Sequence, residues 1–332
     1  MWKRTSYFRP QSYSVMCCHG STYFYESGSL QMLSQEDIYQ NKGDALHLRP
    51  VPEFEDKTMY CRNMDRALDR FIAIAAEATV SDETMSFISI FDTQHPNRTT
   101  QLKQEKSIEI DTAKWTNKGK HIFSMGNASK YNWNSIRQRS TSSNEGIVQK
   151  WDVSAQAVTC SYDIPDYFAG GCLAPASLGI MFLTSDKNNV TLWDTRTQHG
   201  KVREFPFSAH SMGFIDDDRM FTMMGCGQDG ESKSITLDFA SFTPMSEKDP
   251  DFVEFNFDNT NEGFLVTTFG KNVSVGYNNK GEVGLWDNEL RGSPIRLDNN
   301  SWCNGPTGIS LSEKEDMIAI SGYNPQGNKS GP

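Results

Sequence analysis

Few residues in this chain of 332 stand in spacings that could do chemistry. The six histidines, His19, His47, His95, His121, His199 and His210, include no His-x-x-x-His pair, and no Gly-x-Ser-x-Gly elbow exposes a serine nucleophile. The seven cysteines contain no Cys-x-x-Cys pair with zinc-ligand spacing. Gly225-Cys226-Gly227-Gln228-Asp229-Gly230 carries glycines at the dinucleotide-binding spacing, but nothing helical follows it, so it reads as a turn between strands. Asp216-Asp217-Asp218 has the oxygens to chelate a cation and lacks supporting ligands, so it reads as a solvated turn. No catalytic residue, metal or cofactor is expected.

Groups suited to recognition are better represented. Residues 127–145 hold Lys130, Arg137 and Arg139 with Tyr131 and Trp133 among them, a basic and aromatic mixture able to contact an acidic peptide or a nucleic acid. Arg137 lies three residues before Ser140, so phosphorylation at Ser140 would reverse the local charge. Acidic clusters at Glu53-Phe54-Glu55-Asp56, Asp216 to Asp218 and Glu247-Lys248-Asp249-Pro250-Asp251 would attract a basic partner, and otherwise read as solubilising surface. Arg196, after Trp193-Asp194-Thr195, presents a planar fork of donors.

These groups must sit on some scaffold, and the stretch Asn189 to Arg196 indicates which. Val190, Leu192 and Trp193 alternate with threonine as in a strand with one buried face, and polar residues then turn the chain. Trp151-Asp152 precedes Trp193 by 42 residues and Trp286-Asp287 follows it by 93, about two periods. Units of about 40 to 45 residues ending on Trp-Asp are the signature of four-stranded propeller blades. The chain therefore resembles a divergent member of the WD-repeat β-propeller family.

Stepping by the period gives six third-strand marks: Leu46, Phe91, Trp151, Trp193, Leu237 and Trp286. Around them the sequence divides into short strands. The clearest unit has Gly171 to Ala174, Gly179 to Thr184, Asn189 to Asp194 and Val202 to Phe205. The next places its fourth strand near Phe252 to Phe257, and the one after runs from Gly263 to Leu297. Gly308 to Leu311 and Met317 to Ser321 begin a seventh unit, which Tyr7-Phe8 or Tyr13 to Cys17 could complete. Met64 to Ala78 is compatible with a short helix, but Phe71 to Ile74 fits a second strand. Residues 127–145, rich in Ser and Asn, read as a flexible inserted loop. The expected fold is all-β: a single domain over residues 1–332 forming a seven-bladed propeller, with six blades or an incomplete ring as alternatives.

Composition agrees with many short strands and many turns, since Gly, Asn, Asp and Ser are plentiful and the hydrophobic fraction is 37%. A net charge of −10 argues against nucleic-acid binding except through the basic loop. Neither a secretory signal nor a membrane-spanning run is legible, which places the expected protein in cytoplasm or nucleus, not secreted. The odd, scattered cysteines do not form a disulfide framework.

The resemblance implies a non-enzymatic scaffold whose partners are other proteins. It also implies that Trp193-Asp194-Thr195-Arg196 is similar to the box by which some WD-repeat proteins dock, as substrate receptors, on the adaptor of cullin-four ubiquitin ligases. Asp194 and Arg196 would be the docking residues. The family's His, Ser or Thr, and Asp network around the Trp is eroded here: Ala209-His210 precedes a unit marked by Leu237 instead of Trp.

Overall fold

In the computed structural model the chain is all-β, with no helix among the described residues. The structure describes residues 15–18, 21–26, 29–34, 46–48, 59–68, 70–80, 83–95, 98–104, 108–116, 119–134, 139–164, 168–173, 180–185, 189–194, 201–215, 220–227, 232–238, 243–244, 264–270, 272–278, 283–287, 295–297, 305–312 and 318–323.

Twenty-six strands among these residues form small antiparallel sheets in simple meander order. The first sheet has β1 (Val15–Cys18), β2 (Ser21–Glu26), β3 (Ser29–Ser34) and β4 (Leu46–Leu48). The second has β5 (Met59–Ala67), β6 (Phe71–Val80), β7 (Glu83–Asp92) and β8 (Thr99–Lys103). The third has β9 (Ile108–Trp115), β10 (His121–Asn134), β11 (Arg139–Asp152) and β12 (Ala157–Ile164). The fourth has β13 (Phe168–Leu173), β14 (Ile180–Ser185), β15 (Val190–Asp194) and β16 (Lys201–Phe205). The fifth has β17 (Phe207–Ile215), β18 (Met220–Gly227), β19 (Ser232–Asp238) and β20 (Thr243–Pro244). The sixth has β21 (Phe264–Phe269), β22 (Val273–Asn278), β23 (Val283–Asp287) and β24 (Ile295–Leu297), and β25 (Gly305–Leu311) pairs with β26 (Ile318–Tyr323) in the last.

The chain divides into two compact units, one of Met1–Leu48 with Phe207–Pro332 and one of Arg49–Pro206. Within the first unit, the first strands of successive sheets are neighbours: β17 lies beside β21, β21 beside β25, and β25 beside β1. Val275, Tyr277 and Leu285 of the sixth sheet pack on Ile309 of the last. Within the second unit β5 lies beside β9 and β9 beside β13.

Here the period-two pattern acquires its physical reason. The third sheet is covered on both faces: Ile122 and Trp151 pack with Ala73, Ala75, Ile88 and Ile90 of the second sheet, whereas Phe123, Met125 and Val148 pack with Leu173 and Trp193 of the fourth. Adjacent residues of β10 therefore serve opposite cores, and the alanines of β6 make room for Trp115 and Trp151.

The structure corrects several expectations. Leu46 lies in β4, the fourth strand of its sheet, not the third; the alternation around it fits any half-buried strand, and only pairing fixes its rank. Val15 to Cys17 do not complete the last sheet, because β1 pairs with β2 as the first strand of its own sheet; Tyr7-Phe8 lies outside the described residues. The fourth strand of the fifth sheet is Thr243–Pro244, and Phe252 to Phe257 lie outside the described residues. Of the two readings of Met64 to Ala78 the strand reading, with Phe71 to Ile74 in a second strand, holds: β5 and β6 pair along most of their length. Residues 127–134 and 139–145 of the expected loop instead continue β10 and β11 as paired strands, with Ala128 opposite Glu145 and Asn134 opposite Arg139. Backbone pairing does not require apolar side chains, which is why a Ser and Asn-rich stretch can sustain it.

Two backbone details shape the second unit. At the β9–β10 bulge, a Cβ on Gly126 would lie 1.9 Å from the Glu109 carbonyl oxygen, so only glycine permits this approach. In the β5–β6 turn, closed by Arg70 N–H donating to the Ala67 carbonyl at 3.2 Å, Leu68 holds φ at +52°. That conformation costs a leucine about 1–2 kcal/mol.

Candidate interaction site

The third strands carry the recurring chemistry. Five of them, β7, β11, β15, β19 and β23, end on a large apolar residue followed by aspartate: Phe91-Asp92, Trp151-Asp152, Trp193-Asp194, Leu237-Asp238 and Trp286-Asp287. All five apolar residues are buried. In the third sheet the Trp151 Nε1–H donates to Ser124 Oγ across to β10 at 2.8 Å, both groups being buried. The hydroxyl on the second strand is thus retained in this sheet, and it satisfies a donor that would otherwise be costly to bury.

Two of the aspartates, Asp152 and Asp92, organise the turns that follow them. Asp152 Oδ1 accepts from the Ser154 hydroxyl at 2.7 Å and from the Ala155 N–H at 2.9 Å, and these bonds hold its carboxyl below the ordinary value. Asp92 is more heavily engaged. Arg70 grips it with two bonds, Nε to Oδ1 at 2.8 Å and Nη2 to Oδ2 at 2.5 Å, while the Gln94 N–H donates to Oδ1 at 3.0 Å. His95 Nδ1 lies 3.0 Å from Asp92 Oδ2 and 3.2 Å from Arg70 Nη2. Both contacts use the same ring nitrogen, which donates to the carboxylate when it carries the proton and accepts from the guanidinium when it does not. The Arg70 bonds hold the Asp92 carboxyl well below the usual carboxylate range.

A second cluster lies toward the opposite ends of the same strands. Arg62 of β5 donates to Glu77 of β6 at 2.6 Å and to Glu109 of β9 at 3.0 Å, and Asp111, also on β9, accepts from Asn127 of β10 at 3.2 Å. Glu77 and Glu109 thus share one guanidinium, and Asp111 lies close enough to feel its charge. Burial, reinforced by the charge of Glu109, pushes the Asp111 carboxyl from 3.8 up to about 6; Arg62 and Asn127 act in the other direction.

The two aspartates have opposite linkage. Asp111 binds its proton more tightly in the fold, so its contribution worsens as pH rises from about 4 through about 6. Asp92 binds its proton less tightly in the fold, so its contribution is complete above its ordinary value and is lost as pH falls below it. Asp111→Asn, which keeps an acceptor for Asn127, should therefore raise the urea midpoint at pH 8 and converge with the wild type near pH 4. A pH-independent difference would show that ionisation of Asp111 is not the cause.

Of the residues singled out from sequence, Asp194 is the partly buried last residue of β15, paired in register with Ile180. Arg196 and Arg137 lie outside the described residues. Lys130, Tyr131 and Trp133 fall on β10 and Arg139 and Ser140 on β11; Lys130 faces Ser143 in register, Tyr131 faces Ser142, and Trp133 faces Ser140. The hairpin register thus brings Ser140 opposite an aromatic and beside Arg139. The acidic runs at 53–56, 216–218 and 247–251 lie outside the described residues. Sequence reading passed over Arg62, Glu77, Glu109 and Asp111. Glu77, a lone charge in the apolar run of β6, is the one signal that pointed to them.

Among the described residues no group of His, Cys, Asp and Glu is arranged to hold a metal ion, and no helix is long and apolar enough to cross a membrane. No protein-family model matches the chain, and no curated protein matches it significantly.

Proposed function

We propose that the chain is a seven-bladed propeller of the WD-repeat kind and acts as a non-enzymatic interaction scaffold, a subunit of a multiprotein complex. The observation that carries this reading is the recurrence of a buried apolar residue and an aspartate at the end of five successive third strands. Each sheet is a meander that needs neighbours to cover its faces, as blades do, and the first strands are neighbours within each unit. Such a scaffold offers turns and hairpins to partners while its cores stay fixed. The β10–β11 hairpin, bearing Lys130, Tyr131, Trp133, Arg139 and Ser140, is one such element.

The second reading is a substrate receptor docking through Asp194 and Arg196 on the cullin-four adaptor, favoured by the Trp193-Asp194-Thr195-Arg196 box alone. Affinity purification with mass spectrometry of wild type and Arg196→Ala separates the two. A stable set of co-purifying proteins retained by Arg196→Ala supports the scaffold. Adaptor recovered with wild type and lost from Arg196→Ala supports the receptor. A monomer with no stoichiometric partner counts against both.

A further inference from the structure

Arg62 and Asp111 hold the same place in neighbouring sheets. Each is the residue left over at a β-bulge of a first strand: β5 pairs Cys61 with Ala76 and Asn63 with Ala75, which passes over Arg62, and β9 pairs Ile110 with Gly126 and Thr112 with Met125, which passes over Asp111. A bulge takes a residue out of the ladder and re-aims its side chain. Because β5 and β9 lie side by side, the two re-aimed groups enter one cluster, Arg62 bonded to Glu77 and Glu109 and Asp111 bonded to the buried Asn127.

This cluster carries more negative than positive charge. Ionised, Glu77, Glu109 and Asp111 place three carboxylates around one guanidinium, and like charges in a partly buried site resist ionising together. The backbone of β9 cannot retreat toward β10, since it already touches Gly126 as closely as a glycine allows. Of the elements packed on β9, β5 contributes Arg62, with Asp65, held by Lys114 and the Trp115 N–H, and Arg66 farther along. The β6 strand contributes Glu77, and β10 contributes Asn127, with His121 and Lys130 beyond either end of its pairing with β9. The β7 strand has Glu83 and Asp92 at its two ends, and β13 has no charged residue. Asp111 is where a proton relieves the crowding, its carboxyl being raised to about 6 by burial and by Glu109.

A thiol lies directly at the β5 bulge. Cys61 is buried and outside any disulfide, and its Sγ–H donates to the Asn63 carbonyl at 3.7 Å, spanning Arg62. We infer that the paired bulges form a proton-operated latch between the second and third sheets: with Asp111 neutral, Arg62 holds Glu77 and Glu109 and both bulges stay closed, and with Asp111 ionised the crowded carboxylates part and the β5 bulge opens to expose Cys61. The closed form binds the proton more tightly, so opening is rarest in acid, grows more frequent as pH rises from about 4 to about 6, and then levels off. The latch needs only the second and third sheets, so its failure leaves the scaffold reading standing.

The test is pulsed labelling of the full chain with N-ethylmaleimide between pH 5 and pH 7.5. Peptide mass spectrometry reads the extent at Cys61, divided by that at the exposed Cys160, which reports the pH dependence of the reagent itself. This ratio should rise about tenfold across the range, and should be insensitive to urea well below the unfolding midpoint, because a local opening exposes little surface. Asp111→Asn, which keeps an acceptor for Asn127 and cannot ionise, should hold the ratio low at every pH. Arg62→Gln, which removes the tie, should raise it already at pH 5. A flat ratio in the wild type overturns the inference, as does an equal rise in Asp111→Asn or a low ratio in Arg62→Gln. Labelling of Cys61 that follows urea with the slope of global unfolding overturns it too, since the thiol would then be exposed only when the whole unit unfolds.

Discussion

Gly126→Ala should cost the second unit more than about 3 kcal/mol, a large share of the about 5–15 kcal/mol that holds a domain folded. The added Cβ would sit 1.9 Å from the Glu109 carbonyl oxygen, 2.9 Å from its carbonyl carbon and 3.0 Å from the Ile110 Cα. All three are backbone atoms, so no side chain can swing aside. Relief requires β9 to move away from β10, which breaks the pairing of Gly126 with Ile110 and of Asn127 with Glu109. It also parts Asp111 from Asn127. Urea unfolding followed by far-ultraviolet circular dichroism measures the effect. Gly119→Ala is the control: it meets the flexible Leu68 side chain at 2.8 Å and carries only the φ cost of about 1–2 kcal/mol. Equal losses for the two variants would show that the bulge is more pliable than its geometry implies.

Trp151→Ala should destabilise the same unit by about 3–5 kcal/mol. The indole is 2% exposed and packs with residues of two sheets, among them Ala73, Ile90, Trp115 and Ile122. Its removal leaves a cavity and strands the buried Ser124 hydroxyl without its donor. Trp151→Phe separates these terms, since it keeps most of the volume and loses only the Nε1 bond. Its cost should be clearly smaller, and equal urea midpoints for the two variants would mean that the hydrogen bond, not the packing, dominates.

Much of the fold was legible because its strongest signal is local. A third strand ending on a large apolar residue and aspartate is visible even where Trp is replaced, as at Phe91 and Leu237, since burial selects size while the turn selects aspartate. Leu46 misled because alternation reports that a strand is half-buried and not where it ranks in its sheet. Residues 127–145 misled because their composition describes side chains, whereas the hairpin is held by the backbone. The Arg62 cluster was illegible for another reason. Its members lie 15 and 47 residues apart and meet only after β5, β6 and β9 have been laid side by side. Ser124 was equally hidden, being one serine among many until its register with Ala113 and Gln149 placed it beneath Trp151.

The two ends of the strands in the second unit differ in sign. Arg70, Arg98 and Lys120 lie at one end against Asp92 and Asp152, and Glu77, Glu109 and Asp111 gather toward the other with Arg62 among them. Separated charges on a rigid body make a permanent dipole moment along the strand direction. In an external field, including that of an approaching charged partner, this unit experiences a torque before any contact forms. The moment grows as pH rises through 6 and Asp111 ionises, so orientation on approach, as distinct from affinity after it, should itself depend on pH.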